Sequence, residues 1–249
     1  MKNPANYFTA LILLLLVMTF GRIGYAQETN DLFAQGTAMV KSSHFPEAAA
    51  AFEKAAADHP AVGTLLNAGL AEWERGHAGE AILNWERARW LNPCDHQVTE
   101  NLDFAREVAQ LEEPDLKWSE SVSLWLPPGA WVWVSGVSLW VAVGILIVPG
   151  VLRWRKMGWH QGLAALAFGV FLFSLIANYG VVSRRDLGFV IHANALLRLT
   201  PTGQSEIISN LTPGEPARCL RRHGDYFLIR TTLGEGWIDR GHFGLINPD

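Results

Sequence analysis

Cys94 and His96 stand two positions apart, and a thiol close to an imidazole is how a zinc site or an activated thiol nucleophile often begins. A structural zinc needs a second ligand pair at matching spacing, and none follows, so this pair reads as a solvated turn. The only other cysteine is Cys219, and two thiols are too few for a disulfide framework. Cys94 and Cys219 could pair on an oxidising side of a membrane, but two separately tethered domains make that pairing unfavourable. The 8 histidines are scattered, and none pairs with a serine or cysteine in a nucleophile–base motif. No glycine-rich phosphate loop follows a strand. The expectation is therefore no enzyme, no metal and no cofactor, and any function must reside in surfaces.

The composition says what carries those surfaces. Of the 249 residues, 49% are hydrophobic and 18% charged, against about 25% charged in an average soluble chain. The deficit is concentrated. Ser121 to Leu152 is a run of 32 residues with no Asp, Glu, Lys, Arg or His, and from Met157 to Ser183 only His160 interrupts a second run. A bilayer core takes about 20 apolar residues of helix, so each run is long enough to span. The expected fold class is a multidomain membrane protein. Segment 27–117 holds 16 acidic and 7 basic residues, whereas 186–249 holds 7 and 6, which implies two soluble domains with different surfaces. A net charge of −4 gives no footprint for nucleic acid.

Residues 1–26 have the order of an export signal: Lys2, an apolar run from Ala10 to Phe20, then Gly24-Tyr25-Ala26 with small residues where a signal peptidase needs them. Cleavage after Ala26 is the preferred reading and an uncleaved anchor the alternative; either sends Gln27 onward out of the cytoplasm.

An internal repeat occupies 27–117. Pro46 to Ala55, ending at Pro60, aligns with Gly79 to Ala88, ending at Pro93, at a constant offset of 33 residues. Gly36 and Gly69 precede the blocks at the same offset. A small residue lets two helices approach, an aromatic four residues later fills the space on that face, and proline stops the second helix. Gly36, Ala48, Phe52, Ala55 and Pro60, then Gly69, Ala81, Trp85, Ala88 and Pro93, resemble tetratricopeptide repeats, and these ten are the expected packing residues. The pattern departs at Gln35 and Met39, where larger residues are usual. Asp95 to Leu111 reads as an amphipathic cap helix. The resemblance implies a concave face offering Phe33, Thr37, Leu66, Leu70 and Trp73, which either form a partner groove or pack beneath the cap.

The spans are expected at about 129–152 and 162–182, within a helical hairpin over 118–185. Trp125, Trp131 and Trp133 lie near the start of the first span and Trp154 and Trp159 beyond its end, as interfacial indoles do. Arg153, Arg155 and Lys156 assign the connecting loop to the cytoplasm. Both soluble domains then face the periplasm of a bacterial inner membrane. With no ionisable residue in either span, an ion path has nothing to work with.

From 186 onward short strand-like runs alternate with turns at Pro201-Thr202-Gly203, Pro213-Gly214-Glu215, His223-Gly224-Asp225 and Leu233-Gly234-Glu235-Gly236, the pattern of a small barrel. Pro213-Gly214-Glu215, Gly224 to Arg230 and Gly236-Trp237-Ile238 resemble a bacterial SH3 (SH3b) domain covering Leu187 to about Asn247.

Signal, repeats, two spans and terminal SH3b domain are together similar to the BatE-type proteins of bacterial aerotolerance operons. That resemblance implies an interaction scaffold in the lipid bilayer, working with envelope proteins such as membrane-bound von Willebrand A-domain partners and a MoxR-class ATPase. The alternative is a wall-binding module in which the SH3b domain grips peptidoglycan.

Overall fold

The structure is a computed structural model and describes residues 31–151 and 158–247. The segment expected to be an export signal, residues 1–26, and the loop cations Arg153, Arg155 and Lys156 lie outside the described residues. The chain divides into two compact units at Arg75/Gly76, between Gly69 and the second repeat block.

The first unit holds α1 (31–41), α2 (Phe45–Asp58) and α3 (Val62–Glu74). Helix α2 forms because its sequence is rich in alanine, carries proline in the first turn and sets Glu47 against the positive end of the helix dipole. It ends at His59-Pro60, since the residue before a proline avoids the helical region. Ala48, Ala49, Phe52, Ala68 and Ala71 form its buried core, with Phe33, Met39 and Val40 packed against them. Gly36 is buried at that core. A Cβ there would stand 2.7 Å from the Phe52 ring, so the ring occupies the space a side chain would need.

The second unit starts with α4 (Ala78–Leu91) and α5 (His96–Ala109). Asp95 caps α5 by accepting from the Val98 N–H, and Gln110 closes it in a left-handed turn. A one-and-a-half-turn helix, α6 (Trp118–Ser123), leads to two long helices, α7 (Pro128–Val151) and α8 (Gly158–Ser183). Both are long and apolar enough to cross a membrane, and in their most apolar stretches only 11% and 22% of residues are buried. A helix in the core of a soluble domain would have most of such residues covered. Trp133 and Trp140 are 76% and 74% exposed on α7. Between α7 and α8, Ser135 Oγ lies 2.8 Å from Ser174 Oγ, and Asn178 Nδ2 donates to Ser135 Oγ at 2.9 Å. Asn178 is thus a helix-contact residue.

Seven strands follow: β1 (Leu187–Val190), β2 (Ala195–Arg198), β3 (Ile207–Leu211), β4 (Pro216–His223), β5 (Tyr226–Thr231), β6 (Gly234–Asp239) and β7 (Phe243–Leu245). All ladders are antiparallel, in the order β3-β2-β6-β5-β4-β1-β7. Alternation along β5 and β6 sends Phe227, Ile229 and Ile238 into a core shared with Leu197 and Phe243. Gly224 sits in the β4–β5 turn and Gly234 opens β6 directly after the β5–β6 turn, at φ of 56° and 136°, a region only glycine enters freely. Among the described residues no ladder joins β3 to β7, so the pairing is an open seven-stranded sheet rather than a closed barrel.

The sequence implies soluble domains on separate tethers, and the second unit differs from that. Helix α4 lies directly against β1 and the turns beside it. Glycines make this approach: at Gly214 an added Cβ would meet Ile82 Cδ1 at 2.5 Å and Leu111 Cδ1 at 2.7 Å, and at Gly244 it would run into Leu83. Arg87 adds hydrogen bonds from Nε and Nη2 to the Leu245 carbonyl at 3.2 and 3.1 Å.

Candidate functional site

The residues expected to form a groove divide. Phe33 is committed to packing, its ring centroid 5.6 Å from that of Phe52, and the Thr37 hydroxyl donates back to the Phe33 carbonyl at 2.9 Å. Leu66, Leu70 and Trp73 recur at four and three residues along α3 and so lie on one face of it. Leu66 and Trp73 are half-buried, and Leu70 is 38% exposed. The candidate docking surface is therefore this α3 stripe rather than all five residues.

Of the repeat-packing residues, Gly36, Ala48, Phe52, Ala55 and Gly69 are buried in the first unit, and Pro60 is exposed in the turn after α2. Ala81, Trp85 and Ala88 are buried in α4, and Pro93 is half-buried in the turn after it.

The thiols are both free, Cys94 exposed and Cys219 buried. Burial pushes the Cys219 thiol up, which keeps it protonated and unreactive. His96 is engaged with Glu100 on its own helix, Nδ1 to Oε1 at 3.3 Å, and is largely solvated. At the N-terminus of α4, the Glu80 carboxylate lies 2.9 Å from His77 Nδ1 and 3.4 Å from His192 Nδ1. His192 follows β1, so this cluster crosses from helix to sheet. Both histidines are about half exposed, and sequence spacing alone had no means of joining positions so far apart.

A second polar site was also invisible in the sequence. Glu120 in α6 is completely buried and accepts two hydrogen bonds from Arg218 of β4, Nη2 to Oε2 at 2.5 Å and Nη1 to Oε1 at 2.9 Å. Ser183 Oγ at the end of α8 donates to it at 2.5 Å and the Lys117 N–H at 2.9 Å. Burial by itself raises the Glu120 carboxyl, but the donors from Arg218, Ser183 and Lys117 outweigh it and hold the group below the ordinary carboxylate range. Nearby Gly180 of α8 meets the α6 backbone: a Cβ there would be 2.5 Å from the Ser119 carbonyl carbon and closer to its oxygen. One carboxylate thus fastens α6, the end of α8 and the sheet together.

Comparison with known protein families, with curated proteins and with solved structures gives no match.

Proposed function

We propose that the chain is a membrane-anchored scaffold for protein–protein interaction, held by the α7–α8 hairpin with both soluble parts on the periplasmic side of a bacterial inner membrane. It works in this reading within an envelope assembly of the BatE type, its helices resembling tetratricopeptide repeats and its sheet an SH3b domain. The observation that carries the scaffold reading is the partly exposed apolar stripe Leu66, Leu70 and Trp73 on α3, with Leu70 the most exposed of the three. Large apolar side chains left at a surface rim are what a partner buries to gain affinity.

The one-sided topology is supported by Glu120, which ties the segment entering α7 to the segment leaving α8 and to the sheet beyond it. Alkaline phosphatase fused after Pro114 or after Asp249 is expected to be active and a fusion at Gly158 silent. An active Gly158 fusion with silent flanking fusions would reverse the orientation.

The scaffold is tested on the full chain in detergent, against a purified von Willebrand A-domain membrane protein. Leu70→Glu and Trp73→Ala are each expected to weaken that binding at least about tenfold, the equivalent of about 1.4 kcal/mol, with the melting temperature of the Leu70 variant unchanged. The wall-binding reading draws on the β3 edge, where Ile207 and Ile208 are exposed. Sedimentation with peptidoglycan that is lost in Ile207→Asp, with partner binding intact in both α3 variants, would transfer the function to the sheet.

A further inference from the structure

Strand β4 outruns its neighbour β1. Phe189 stands opposite Pro216 and Leu187 opposite Arg218, and Leu187 opens β1 directly after the short turn Arg184–Asp186 that follows α8. Cys219 to His223 therefore continue past the start of β1, on the side where the chain leaves α8.

Register fixes which way this extension faces. Arg218, Arg221 and His223 pair with Arg230, Leu228 and Tyr226, which alternate along β5. All three side chains thus leave the sheet on the face opposite Phe227 and Ile229, the β5 residues that enter the core. Arg218 uses that face to hold Glu120 of α6, which also accepts from Ser183, the last residue of α8. The face that rests on the end of the membrane hairpin runs on through Arg221, two pairs and so about 7 Å further along the ladder.

The residues there suit a bilayer surface. The register shift between Cys219 and Arg221 is a bulge, and it leaves Leu220 41% exposed between neighbours of opposite facing. Arg221 and Arg222 are exposed beside it, as is Arg185 in the turn after α8. These three cations outnumber the acidic residues adjoining them in the chain, Asp186 and Asp225, whereas segment 27–117 holds 16 acidic against 7 basic residues. Trp118 at the start of α6, Trp125 just after it and Tyr179 near the end of α8 are 65%, 62% and 64% exposed, as aromatic side chains in a headgroup layer are.

We propose that the Leu220–Arg222 edge of β4 docks on the bilayer surface beside α8. Leu220 enters the interface, and Arg185, Arg221 and Arg222 hold the phosphates of anionic lipid headgroups. The docking presupposes that α7 and α8 cross a bilayer, as proposed above, and holds for either orientation of the chain. It fixes the sheet against the membrane and makes its attitude depend on lipid charge.

The test uses the full chain in nanodiscs, with Cys94→Ser removing the exposed thiol, Cys219 buried, and a nitroxide attached after Leu220→Cys. Collisions of the label with a water-soluble nickel chelate and with lipid-soluble oxygen are compared in phosphatidylcholine alone and in phosphatidylcholine mixed with phosphatidylglycerol. Nickel access is expected to be at least about threefold lower in the anionic discs, with oxygen access raised. Arg221→Gln should return most of the nickel access, and high salt should do the same to the unaltered arginines, which does not depend on how the variant folds. A second label, attached after Val141→Cys on the exposed face of α7, should be shielded from nickel in both lipids. Equal nickel access at position 220 in the two lipids, with position 141 shielded, would overturn the docking alone. Nickel access at position 141 would overturn the membrane-spanning reading and the docking with it. Shielding of position 220 by inorganic phosphate or soluble peptidoglycan fragments in neutral discs, with no response to phosphatidylglycerol, would overturn the docking in favour of a soluble ligand.

Discussion

Gly79→Ala is expected to destabilise the full chain by about 3 kcal/mol, the upper end of what overpacking a close contact usually costs. The added Cβ would lie 2.6 Å from the Val190 carbonyl oxygen and closer still to that of Ile191. Both obstacles are backbone, one in β1 and one directly after it, so no rotamer change relieves them, and α4 must move off the sheet. Ile82 and Leu83, whose contacts with Gly214 and Gly244 depend on the same approach, would loosen with it. The control is Gly63→Ala in α3, where nothing lies within 4 Å. Replacing a helical glycine there is expected to stabilise by about 0.5 kcal/mol. Denaturant unfolding in detergent separates the two, and equal stability of Gly79→Ala and the unaltered chain would mean that α4 does not rest on β1.

The second large effect is expected at Glu120. Glu120→Gln keeps the shape but removes the charge that compensates Arg218, and breaking a buried pair by neutralising one partner typically costs about 3 kcal/mol. Because Arg218 keeps some solvent contact, the lower end of that range is the appropriate figure. The double variant with Arg218→Met should recover part of the loss, since neither charge is then left alone. The pH dependence has a definite sign. The folded carboxyl titrates below its unfolded value, so its contribution is fully present above the ordinary carboxylate range and is lost as pH falls through the depressed folded value. Stability of the unaltered chain should therefore fall more steeply in acid than that of Glu120→Gln. Parallel acid profiles for the two would mean that the carboxylate is not bonded in the folded state.

Local order was legible in the sequence because its causes are local. The charge-free runs give α7 and α8 by length and composition, and Pro128 opens α7 where a prolyl residue can stand without losing a helical hydrogen bond. The stop at Pro60, the Asp95 cap and the glycine turns of the sheet follow from the φ preferences and hydrogen-bonding groups of a few adjacent residues. Helix α5 runs over His96–Ala109, close to the stretch its apolar period marks. Strand β7 left no such mark, since Phe243-Gly244-Leu245 is three residues long, buried throughout and therefore without alternation. The short α6 escaped for a similar reason, being too brief to display a period.

What only tertiary structure decided is which distant groups meet. Glu120 and Arg218 are 98 residues apart, and neither carries a local sign that one will bury the other's charge. Gly79 looks like a repeat position in the sequence, yet its lack of a side chain also admits the backbone after β1. Phe33 reads as a groove residue by its place in a repeat and is spent on the Phe52 ring. Arg184 follows an apolar helix, where a cation ordinarily reaches for water, and α4 closes over it instead. Local propensity fixes the elements residue by residue, whereas burial and charge pairing depend on which surfaces remain uncovered once those elements exist, and that is a property of the assembled fold alone.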